Sequence, residues 1–94
     1  MLNKNEVKVI RALVEQAWSE SEGEFGFTDN IKVKGLNKHQ IAGYIGDLEK
    51  KGYIRIYHEV GYDLFLLMKK VEEIFPDVEV YEDNHFILRK WTTQ

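Results

Sequence analysis

Apolar residues recur every three or four positions from Val7 to Trp18. Val7, Ile10, Leu13, Val14, Ala17 and Trp18 fall on one stripe, which predicts an amphipathic helix. Its start carries capping grammar. Asn3 suits the N-cap, Glu6 sits at N3 to complete a capping box, and Leu2 and Val7 bracket them as a hydrophobic staple. The polar run "SESEGEFG" ends it.

The same grammar returns at Asn37. Gln40 stands at N3, Leu36 and Ile41 form the staple, and Ile41, Tyr44, Ile45 and Leu48 share one face over Lys38 to Lys51. Lys50 and Lys51 fill the last turn, where cations suit the negative end of the helix dipole. Gly52 fits the left-handed position just past the helix. With the apolar residues inward, the outward face carries His39, Ala42, Gly43, Gly46 and Lys50. Gly43 and Gly46 each weaken a helix by about 1 kcal/mol relative to alanine, so a close approach at that face is expected.

Between these helices, Phe25 and Phe27 alternate as in a short strand, and so do Ile31 and Val33. The favoured alternative for the second pair has Thr28 cap a single helical turn through Val33 that stops at Gly35. After Gly52, "YIRIY" reads as a strand, and Tyr53–Tyr57 against Asp63–Leu67 as a hairpin turning near Gly61. A short helix then runs to Phe75. The competing parse caps one helix at Asp63, because Leu64, Met68, Val71 and Phe75 also have helical spacing. The segment "VEVYEDNHFILRK" predicts a second hairpin with its turn at Asp83 and Asn84. The fold class expected is α+β, one domain, with a core over residues 1–76 and a C-terminal hairpin over 77–94. The aromatic residues are mostly expected in the core; Tyr57 and Tyr62 near the hairpin turn are expected to pack, with exposed contacts as the alternative.

Composition narrows the function. The chain has 94 residues and no cysteine, which removes disulfides and thiolate metal sites and fits a cytoplasmic location. No apolar run approaches a membrane span, and the N-terminus shows no signal-peptide core. Net charge is −3, but the charges are segregated. Glu15 to Asp29 holds five acids and no base, whereas Lys32 to His58 holds six Lys and Arg against Asp47 and Glu49. Glu59 to Asp83 then carries eight acids against Lys69 and Lys70. A basic centre between acidic flanks can present one positive face.

The order of elements, and the string Leu48-Glu49-Lys50-Lys51-Gly52-Tyr53-Ile54, resembles a winged helix–turn–helix domain of the MarR-like regulators. The likeness covers roughly residues 4 to 76. It implies a transcriptional regulator that binds double-stranded DNA as a homodimer, with the Lys38–Lys51 helix in the major groove and the turn between Tyr57 and Asp63 as the wing. On that resemblance the DNA-binding residues are Lys34, Asn37, Lys38, His39, Gln40, Gly43, Gly46, Lys50, Arg55 and His58, and no cofactor is needed. The strands of the C-terminal hairpin would either extend the wing sheet or pair with a second copy to form the dimer, and in either case an exposed strand edge is covered.

Other chemistry has little support. His39, His58 and His85 lack metal-ligand spacing, Ser19 and Ser21 have no nearby histidine, and the glycines match no nucleotide-binding loop. The chain does not read as an enzyme. Two binding alternatives stay open. One is a winged helix used as a protein-interaction module, whose glycine face receives a helix while the acidic C-terminal half meets a basic partner. The other is suggested by "GYIG", which resembles the GXXG loop of KH domains and would clamp single-stranded RNA, although the caps at Asn37 and Gln40 argue for unbroken helix.

Overall fold

Both predicted capping boxes form. In the computed structural model, which describes residues 2–21, 25–76, 78, 80–82 and 86–88, the Asn3 side chain accepts from the Glu6 N–H at 2.8 Å. Glu6 Oε1 accepts in return from the Asn3 N–H at 2.8 Å. This starts α1 (Lys4–Ser21). Asn37 and Gln40 repeat the exchange at 2.9 Å each way and start α2 (Lys38–Lys50). The helix ends as its glycine requires. Gly52 takes φ 87°, its N–H reaches the Glu49 carbonyl, and the Tyr53 N–H reaches the Leu48 carbonyl, each at 3.0 Å. Lys70 Nζ donates to the Lys51 carbonyl at 2.8 Å and lies 4.7 Å from the centre of the Tyr53 ring. A cation thus sits at the negative end of α2.

The strand after Gly52 is β2 (Ile54–Glu59). It turns through Val60 and Gly61 into β3 (Tyr62–Leu67), with Ile54 opposite Leu67 and Glu59 opposite Tyr62. The hairpin is therefore longer and tighter than its sequence suggested, and the competing helix from Asp63 is not formed. β1 (Gly26–Phe27) pairs with the other edge of β3, giving an antiparallel sheet in the order β1-β3-β2. The fold is α+β. β4 (Val80–Glu82) and β5 (Phe86–Leu88) pair antiparallel with Val80 opposite Leu88. The expected turn at Asp83 and Asn84 lies outside the described residues.

The core lies between the helices and one sheet face. Val9, Ile10, Leu13, Val14 and Ala17 of α1 meet Ile41, Ile45 and Leu48 of α2 over Ile54, Phe65 and Leu67. Each larger side chain contributes about 1.5–3 kcal/mol through burial. Gly26 leaves no room for a side chain, since a Cβ there would lie 2.6 Å from the Phe65 ring.

Four expectations are corrected here. Trp18 shared the predicted stripe but is 38% exposed, since its helical phase places it at the margin of the buried face formed by Val9, Ile10, Leu13, Val14 and Ala17. The expected helix over Thr28 to Val33 is a single 3-10 turn, Thr28–Asn30, and the chain at Ile31 is extended. Ile31 is buried, so tertiary packing overrides the local cap signal. Tyr57 and Tyr62 are exposed, because Tyr57 and Glu59, with their partners Leu64 and Tyr62, occupy the sheet face turned away from the core. The short helix expected before Phe75 is also of the 3-10 type, Lys69–Glu73.

Candidate nucleic-acid interface

The outward face of α2 follows from its helical phase. With Ile41, Ile45 and Leu48 buried, His39, Gly43, Gly46 and Lys50 fall on the opposite side. A Cβ built on Gly43 or Gly46 meets nothing within 4 Å among the described residues, so no close contact there requires glycine at either position. The stripe is bare backbone bounded by His39 at one end and Lys50 at the other. Asp47 is exposed beside it. α2 is unbroken across Gly43 and Gly46, so the loop that a GXXG clamp needs is not formed.

One flank of α2 opens into a groove of about 430 Å³ shared with β2 and with the 3-10 turn. Its floor is Ile41, Ile45 and Ile56, with Ala42 and Gly46 on the helix side. Lys38 and His58 line it too, with Asp29 and Asp63 as the acids. His58 Nδ1 lies 2.9 Å from Asp63 Oδ1 across the hairpin, which offsets much of the charge a protonated imidazole would bring. The other flank of α2 is fixed to α1. Asn5 Nδ2 donates to the Tyr44 hydroxyl at 3.0 Å.

The strongest electrostatic contact lies at that second flank. Glu6 is 1% exposed and receives Lys51 Nζ on both carboxylate oxygens, at 2.9 and 2.8 Å. Those hydrogen bonds, with the Asn3 N–H, hold the Glu6 carboxyl below its ordinary pKa against the opposing effect of burial. The clamp joins the start of α1 to the end of α2 and sets the angle at which α2 presents its outer side.

The ten expected contact residues separate into groups. His39, Gly43, Gly46 and Lys50 share the outer stripe, while Lys38 and His58 line the groove beside it. Asn37 and Gln40 are exposed, but their side chains are engaged in the capping box. Lys34 lies on the α1 side and lines a different groove. Arg55 projects from the sheet face away from α2, paired across strands with Leu66, and its guanidinium donates to the Tyr57 hydroxyl at 3.4 Å. Glu49 turns inward to the edge strand and accepts the Ile56 N–H at 3.1 Å. Two features had no signal in the sequence: the Glu6–Lys51 clamp, whose partners are 45 positions apart, and the apolar groove floor, which needs β2 beside α2.

Among the described residues no group of three or more His, Cys, Asp or Glu is placed to hold a metal ion, and no helix is long and apolar enough to cross a membrane. Comparison with protein-family models, with curated proteins and with solved structures finds no match for this chain.

Proposed function

We propose that the chain is a winged-helix protein that binds duplex DNA through the outer side of α2. The observation that carries this reading is the open stripe His39–Gly43–Gly46–Lys50, at whose glycines an added Cβ would meet nothing within 4 Å among the described residues. A helix without side chains at two successive turns can lie closer to a ligand than an ordinary helix. Lys38 and Lys50, near the two ends of α2, match phosphates on either side of a groove. Lys38 and Lys50 have no ion-pair partner among the described residues, so both are free to contact phosphate. The strand order β1-β3-β2 behind α2 is compatible with this architecture, the β2–β3 turn then being the wing. On the resemblance of its helix–strand junction, the protein acts as a homodimeric transcriptional regulator, two copies of α2 reading successive turns of DNA.

A second reading has an observation of its own. The floor of Ile41, Ile45 and Ile56, with Ala42 and Gly46 beside it, suits an apolar helix of a protein partner better than a phosphate backbone.

Fluorescence anisotropy with random-sequence duplex DNA separates the two. On the DNA reading, binding weakens on the order of tenfold or more between about 50 and about 200 mM salt. Lys38→Glu abolishes it. Absence of binding at low salt removes the DNA reading and leaves the protein partner.

A further inference from the structure

The fold assembles a second basic surface that lies apart from α2's outer stripe. Lys8 and Arg11 of α1 line an open groove of about 490 Å³ with Lys32 and Lys34 from the segment leading to α2. Ala12 and Val33 form its half-buried floor, and Glu15 is the one carboxylate in its lining. The four cations are all exposed, in a chain whose net charge is −3. None of them forms an ion pair among the described residues, although five acids lie between Glu15 and Asp29. Arg11 is steadied by an apolar partner instead. Its guanidinium lies 5.8 Å from the centre of the Phe75 ring, a contact that keeps its full charge.

We propose that this groove is a second nucleic-acid contact, taking the phosphate backbone of a strand along α1. Cations stand on both walls, two from α1 and two from the 32–34 segment, so an anionic group meets positive charge whichever way it faces. A continuous polyphosphate chain supplies such groups at every step, and the shallow apolar floor accommodates sugar rather than a base edge. The site rests on the reading of a nucleic-acid ligand but not on α2 being its contact. Lys34 belongs here and not to the α2 surface. Together the two surfaces let one copy touch nucleic acid on more than one side.

The test uses the full chain and random-sequence duplex DNA, comparing wild type with Lys8→Ala/Lys32→Ala and with Lys38→Ala/Lys50→Ala across a salt series. All four lysines are exposed, and unchanged circular dichroism spectra check that each variant folds. Removing two phosphate contacts is expected to lower the log–log salt slope by about 2 and the affinity by roughly tenfold or more at about 100 mM salt. That result for the Lys8/Lys32 pair supports the groove, whatever the α2 pair does. If only the α2 pair changes the slope, the groove proposal is overturned and the α2 reading stands. If only the groove pair does, α2 is not the contact and the groove is. Wild type that ignores DNA but binds polyglutamate, with loss in Lys8→Ala/Lys32→Ala, overturns the nucleic-acid proposal in favour of an acidic protein.

Discussion

Glu6 is buried, charged and held by three hydrogen bonds, two of them from the Lys51 ammonium and one from the Asn3 N–H. Lys51→Ala leaves that carboxylate with the Asn3 N–H alone. A broken buried pair is severe, but Lys51 is 41% exposed and water can reach part of the gap, so we expect a loss of about 1–2 kcal/mol in urea denaturation at neutral pH. The acid dependence follows from the direction of the shift. Glu6 has a lower pKa folded than unfolded. Its stabilisation is therefore complete above the unfolded value, about 4.3, and is lost as pH falls through the folded value. Lys51→Ala should make the acid limb of a stability–pH curve shallower, and equal acid limbs would show that the clamp does not couple to folding. The capping role of Glu6 was legible from "NKNE", because a capping box is a local pattern. Its second role was not legible. Periodicity placed Lys51 in a last helical turn and could not say which distant carboxylate it meets.

At the scale of the elements, α2 is well defined by its own sequence. The N-cap, the N3 glutamine, the apolar face and the terminating glycine all read correctly from one stretch, since each acts within a few residues. Gly52→Ala should cost about 1 kcal/mol and lower the melting temperature by about 4–8 °C, because φ of 87° strains any side chain, even where the nearest atom, Lys70 Cδ, is 3.9 Å away. An unchanged melting temperature would mean that the helix end rearranges without difficulty. The segment before α2 was misread for the opposite reason. Thr28 and Gly35 offer local helix signals, but Ile31 is drawn into the core and the chain extends there. The β2–β3 hairpin was legible in kind and not in length. Pairing extends to Glu59 and Tyr62, which leaves Val60 98% exposed at the tip. Nothing in alternation alone fixes how far a ladder runs before it turns.

At the scale of the whole molecule, charge and shape no longer follow the sequence blocks. The basic centre from Lys32 to His58 is divided by the fold. Lys32 and Lys34 join Lys8 and Arg11 on one side, Lys38 and Lys50 stay with α2, Arg55 faces away, and Lys51 is consumed by Glu6. A count along the chain could find the excess of positive charge but not its partition, which depends on which strand and helix faces turn outward. The same separation explains why the glycines are informative. Gly26 is small because Phe65 fills its space, whereas Gly43 and Gly46 border open solvent.

The glycine pair gives the most direct measurement of whether the outer side of α2 is a contact surface. Gly43→Ala/Gly46→Ala adds two methyl groups where nothing among the described residues obstructs them, so the variant should gain about 1 kcal/mol for each substitution and melt higher by roughly 8–16 °C. Measured in parallel by anisotropy, its affinity for duplex DNA should fall by roughly tenfold or more, one factor of ten corresponding to about 1.4 kcal/mol of lost contact. A variant that is more stable and binds DNA as tightly as wild type would contradict the assignment of this face.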